Sequence, residues 1–131
     1  MNELSVRLKN VNEAGVFNIN CELTDVLAAV NEAQLVLFSV DLAAVHSKSE
    51  FLATVAQAIA APDWFGKNWD ALADALGDLS WKPAPGYVLV FKNGADTFHL
   101  LAHDHGVAND ILTSTVNFWK TQSKPFWVFC C

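Results

Sequence analysis

Three short apolar runs, spaced far apart along the chain, constrain its fold more than any other feature. They are Leu35-Val36-Leu37-Phe38-Ser39-Val40, Tyr87-Val88-Leu89-Val90-Phe91 and Phe126-Trp127-Val128-Phe129. Runs of this length, rich in β-branched and aromatic residues, read as strands buried on both faces. Helical patterns lie between them. Ser47-Lys48-Ser49-Glu50 is a capping box ahead of Phe51, Leu52, Val55, Ala56 and Ile59, whose spacing places one apolar stripe on a helix that Pro62 closes. Asn68 is a good N-cap for a second helix running to about Leu79. After a turn at Asn93-Gly94, the residues Phe98, Leu101 and Ala102 suggest a short helix. Gly106 precedes a longer one carrying Val107, Ile111, Leu112, Val116 and Trp119. The order strand, helix, helix, strand, helix, helix, strand requires crossovers, and hence a small parallel sheet.

The first third of the chain reads differently. Ser5 to Lys9 and Val16 to Cys21 alternate apolar and polar residues around a turn-rich Asn12 to Gly15, as in a small hairpin or two edge strands. Thr24 is placed to cap a short helix with Leu27 and Val30 on its apolar face. The expected architecture is α/β. A three-stranded parallel sheet with about four helices spans residues 34–131, and an N-terminal extension, residues 1–33, adds short strands and a helix to the same domain.

Charge narrows the function. Acidic residues outnumber basic ones 14 to 8, a formal charge of -6, so phosphate-rich nucleic acid is repelled and a basic protein partner is favoured. Met1 to Asn10 has no apolar core typical of a leader, and Leu35 to Val40 is too short to span a bilayer. The odd set Cys21, Cys130 and Cys131 implies no disulfide framework, and a reducing cytoplasm is expected.

The most informative segment is Pro62 to Asp78, which holds four aspartates against one lysine and packs Trp64, Phe65 and Trp69 into six residues. On a helix starting at Asn68, Asp70, Asp74 and Asp78 form one row, while Trp69, Leu72, Leu76 and Leu79 cluster on the opposite side. Like charges at that spacing cost a helix roughly 0.2–0.5 kcal/mol per pair. Folding alone does not call for such a row. Two aromatics in the preceding loop, Trp64 and Phe65, make a binding patch with it, with Phe65 expected to fold back into the core.

Pro62, Asp63, Trp64, Phe65, Gly66, Asn68, Asp70, Ala71, Leu72 and Asp74 together resemble the inhibitory loop and second helix of the barstar family. The stretches through Leu79-Ser80-Trp81, Pro83 to Tyr87 and Pro125 to Phe129 extend the resemblance over roughly Gln34 to Phe129. It implies a barstar-like fold and a protein that plugs the active site of a small basic, barnase-like ribonuclease. Carboxylates would take the place of RNA phosphates: Asp74 in the phosphate site, and Asp70 paired with the enzyme's cations. Trp64 would pack near the catalytic histidine, with Gly66 and Asn68 giving loop contacts. At Ala73 the family's namesake carries a bulky aromatic. Leu79 or Trp81 would stand in for a displaced aromatic contact, and Asp110 is a candidate for a later acidic one. The expected partner-binding set is Trp64, Phe65, Gly66, Asn68, Trp69, Asp70, Ala73, Asp74, Asp78 and Trp81, with a barstar-like module for another basic protein as the alternative.

Two other chemistries are weaker fits. His99, His103, Asp104 and His105 include an i, i+4 histidine pair, but neither HExxH nor paired CxxC supports a metal site, and no metal or cofactor is expected. Asp70 and Asp74 on a convex helix lack the cleft that acid–base catalysis needs, and neither G-x-S-x-G nor a P-loop occurs. Cys130 and Cys131 fit a strand end better than a nucleophile, so no enzyme is expected.

Overall fold

Strands β3 (Tyr87–Lys92) and β4 (Phe126–Cys130) run parallel, with Tyr87 opposite Phe126 and Val90 opposite Phe129. β2 (Val36–Asp41) pairs with the other side of β3, Val36 facing Tyr87. A three-residue β1 (Val16–Asn18) pairs with β4, Val16 facing Val128. In this computed structural model, which describes residues 3–18, 23–62, 68–93 and 102–130, the sheet therefore has four parallel strands in the order β1-β4-β3-β2. Sequence patterning anticipates three. The fourth, β1, is the edge strand expected from Val16 onward, three residues long with Phe17 43% exposed; it joins the same sheet parallel to β4 and is not part of a hairpin. The helices among the described residues are α1 (Glu3–Leu8), α2 (Leu23–Ala33), α3 (Lys48–Ala58), α4 (Trp69–Asp78) and α5 (Ala102–Thr121). None is long and apolar enough to cross a membrane.

Residues two apart on a strand share a face, and the two faces are covered by different helices. On one face, Tyr87 is flanked by Phe38 and Phe126, each with ring centroids 6.0 Å away. Phe51 of α3 stacks on Phe91 there, and Trp119 of α5 tilts against Tyr87 at 5.3 Å. On the other face, Phe17, Trp127 and Phe129 form an aromatic row. The Trp127 indole N–H donates to the Leu8 carbonyl at 2.9 Å, which fixes the end of α1 over that row. α2 packs against α1 and β2, burying Val26, Ala29, Val30 and Ala33. With both faces covered, β3 and β4 are buried nearly throughout, as parallel strands require.

Position in the sheet decides where the sequence reading fails. β2 is an edge strand, so Ser39 and Asp41 are exposed and Val36 and Leu37 are half-buried, where burial on both faces was expected. Ser5 to Leu8 is helical, not a hairpin strand: Ser5 and Leu8, three apart, are both buried on one side of α1. In α2 the buried face is Val26, Ala29, Val30 and Ala33, while Leu27 is 48% exposed. The helix begins at Leu23, so Thr24 lies in its first turn and not at its cap. Of the expected Asn93-Gly94 turn, Asn93 is in the left-handed region, at φ 61°, and Gly94 lies outside the described residues. The Phe98–Leu101 helix lies outside the described residues.

Other local signals hold. Ser47 caps α3, its hydroxyl accepting from the Glu50 N–H at 3.1 Å and donating to the Glu50 carboxylate at 3.3 Å. Gly86 is required by close approach: a Cβ there would stand 2.7 Å from Pro125 Cγ and 2.9 Å from the Pro125 carbonyl oxygen, just where the chains enter β3 and β4.

α5 runs unbroken through Gly106, where a helix start was expected. Helix propensity is a weak prior, and the packing of Ala108, Leu112, Val116 and Trp119 overrides one glycine. Gly106 is exposed, and a Cβ there meets nothing within 4 Å. Gly106→Ala is expected to stabilise the protein by about 0.5–1 kcal/mol, read as a higher urea midpoint at unchanged m-value.

Candidate functional site

The acidic row is built by the way α4 is capped and buried. The Asn68 side chain accepts from the Ala71 N–H at 2.7 Å, fixing the start of the helix. Leu72, Ala75 and Leu76 are buried, and Leu79 closes the helix in the left-handed conformation (φ 49°) with its own side chain buried. A non-glycine residue pays strain there, which the burial of Leu79 offsets. Once this face is fixed on the core, Asp70, Asp74 and Asp78 have only the outward side left. All three are exposed, as is Ala73 between them.

Among the described residues none of the three carboxylates pairs with a cation; Arg7 pairs instead with Glu13 in the N-terminal segment. Asp78 accepts from the Ser80 hydroxyl at 3.2 Å. Asp70 lies in the first turn of α4, where the helix dipole favours a negative charge. The two aromatics near the row also make contacts within the fold. Trp69 is half-buried, its ring tilted against Phe51 at 6.0 Å and lying under the Lys48 ammonium at 5.5 Å, so it anchors α4 to α3. The Trp81 indole N–H donates to the Ile59 carbonyl at 2.9 Å, tying the segment after α4 to the end of α3. Trp64, Phe65 and Gly66, and with them the expected inward turn of Phe65, lie outside the described residues.

The face is not convex throughout, as the sequence suggested. α4 and α5 leave between them a groove of about 340 Å³, bordered by Ala73, Asp74 and Gly77 on one side and by Ile111, Ser114, Thr115 and Phe118 on the other. Gly77 has no positive φ, and a Cβ there would meet only Phe118 Cδ2, at 4.0 Å. The backbone therefore does not require glycine at a position where it costs roughly 0.5–1 kcal/mol relative to alanine. The α5 side of this groove was missed at the sequence level. Ile111, Thr115 and Phe118 follow helical spacing, and only packing shows that Phe118 stays 43% exposed while its neighbour Trp119 is buried.

The remaining candidates are dispersed. Asp110 is exposed on α5. His99 lies outside the described residues, His105 is exposed, and no three potential metal ligands come together among the described residues. Cys130 is half-buried in β4, and burial pushes its thiol up from the ordinary cysteine value, which holds it in the protonated, unreactive form.

The described residues thus form a parallel α/β fold with an anionic face on a capped helix. A family model described as Barstar (barnase inhibitor) matches residues 35–131, well over half of the chain, and the chain belongs to this family. No curated protein gives a significant match to it.

Proposed function

We propose that this protein inhibits a small basic ribonuclease by laying α4 and the loop before it into the enzyme's RNA-binding groove. One observation carries the reading. In a chain of the barstar family, Asp70 and Asp74 stand exposed on one side of α4 with no cation of their own among the described residues. Two carboxylates four residues apart present negative charge much as successive phosphates do. Arginine and lysine side chains that hold RNA would accept them through charge-assisted, often bidentate hydrogen bonds. Asn68 and the segment Trp64 to Gly66 complete the surface in this reading, and Asp78 extends its charge.

The test is a titration of a barnase-like ribonuclease with the purified protein, followed by cleavage of an RNA substrate. Stoichiometric loss of cleavage is expected. Association is expected to slow steeply as salt rises, because opposite net charges steer the encounter and salt screens them. An association rate indifferent to salt would remove the acidic face from the interface.

A second reading is favoured by Ala73, which leaves a small side chain between the two aspartates, where the family's namesake carries an aromatic. The same face would then serve a different basic protein. Full ribonuclease activity in the presence of excess protein selects this alternative.

A further inference from the structure

The groove between α4 and α5 is a mixed surface with a definite chemistry. Its walls are the aliphatic side chain of Ile111, the ring of Phe118 and the bare backbone of Gly77. Asp74 is the one charged residue among those that line it. The Thr115 hydroxyl is already spent on the Ile111 carbonyl, at 2.8 Å, and offers little to a ligand. Phe118 is held edge-on by Trp119, with ring centroids 5.3 Å apart and planes at 75°. Phe118 as a whole remains 43% exposed. Gly77 keeps the space in front of that ring open, although nothing in the backbone demands glycine there.

We infer that this groove is a specificity subsite that receives one arginine side chain of the basic partner, stacked on Phe118 and paired through its guanidinium with Asp74. Charge complementarity chooses the occupant. Asp70 and Asp78 flank Asp74 on the same helix side, and none of the three is paired with a cation among the described residues. An aromatic ring beside a carboxylate suits the guanidinium plane, which stacks and bonds bidentately at once, while a lysine ammonium is a compact, strongly hydrated charge. The arginine's aliphatic stem would cover Ile111 and the open flank of Gly77. A volume of about 340 Å³, open to solvent, fits a single side chain better than an enclosed small molecule. The inference rests on the proposed reading that the acidic face meets a basic protein. It adds Phe118 and Gly77, on which that reading does not depend, as determinants of which basic protein is accepted.

The test separates the two. The full chain is titrated with N-acetyl-arginine amide, with N-acetyl-lysine amide as control, while the Gly77 amide and Phe118 ring resonances are followed by NMR. Saturable shifts at both positions are expected with the arginine compound. They should be much smaller with the lysine compound, lost in Gly77→Leu, which fills the groove, and reduced in Phe118→Leu, which removes the aromatic plane. Equal shifts from both compounds, shifts that persist in Gly77→Leu, or no saturable shift would overturn the assignment. Ribonuclease inhibition is measured on the same proteins. Inhibition that falls in Asp70→Ala but is untouched in Gly77→Leu and Phe118→Leu leaves the inhibitor reading standing and refutes the subsite. Arginine binding in the groove without any inhibition supports the subsite and refutes the ribonuclease as partner.

Discussion

Removing residues 1–33 is expected to abolish cooperative folding, although the family segment itself begins at residue 35. The deletion takes away β1, an edge strand of the sheet, and α1 and α2, which pack over one of its faces. Leu8, Ala14, Val26, Ala29, Val30 and Ala33 are all buried in the segment removed, and its Leu8 and Phe17 meet Trp127 and Phe129 of the sheet. Without it β4 loses β1 and becomes an edge, the Trp127 N–H loses the Leu8 carbonyl, and an aromatic row faces water. Burying an aliphatic side chain contributes about 1.5–3 kcal/mol each, and a whole domain is stable by only about 5–15 kcal/mol, so losing several at once exceeds the margin. The expected readout is loss of near-ultraviolet circular dichroism and of a sharp urea transition. Leu8→Ala is the milder form of the same experiment. Leu8 is fully buried, and truncating it is expected to cost about 2–5 kcal/mol while the fold survives. A shortened chain that unfolds at the same urea concentration as the whole would show that this segment is dispensable.

Asp74→Ala is expected to weaken ribonuclease binding by roughly 1.5–3 kcal/mol, the range for a hydrogen bond to a charged group, or about 10- to 150-fold in Kd. Asp74 is exposed, and alanine is the better helix former, so stability should hold or rise slightly. The loss is expected mainly in the dissociation rate, with a smaller drop in association from the missing charge. Asp25→Ala, an exposed acidic site on α2, removes the same charge from the total and controls for it. Calorimetry or inhibition constants for the two variants decide the matter. If Asp74→Ala binds no worse than Asp25→Ala, the carboxylate of Asp74 does not touch the partner.

What could be read from the sequence, and what could not, divides along physical lines. β3 and β4 were legible because both faces of a central parallel strand are apolar, leaving an unbroken run. α4 was legible because a capping asparagine, a buried stripe of leucines and a row of aspartates all point to one register. Edges and short pieces were not. β2 is apolar in sequence yet half-exposed at the sheet margin, and β1 could be expected as an edge strand but its parallel pairing with β4 could not, because that contact joins segments more than a hundred residues apart. α1 has six residues, too few to separate a period of two from one of 3.6. Trp69 and Trp81 could be nominated as contact residues but not located, because the attachment of each to α3 depends on how two helices meet. The groove is hidden for the same reason. It belongs to neither helix alone.

The indole hydrogen bonds have a practical consequence. Trp81 reaches from the segment after α4 to α3, Trp119 from α5 to the Leu76 carbonyl of α4 at 2.8 Å, and Trp127 from β4 to α1. Each crosses a different seam of the molecule, so the protein carries native fluorophores stationed where its pieces join. Changes in their emission would report the parting of seams, and replacing them one at a time with phenylalanine would tell which opens first.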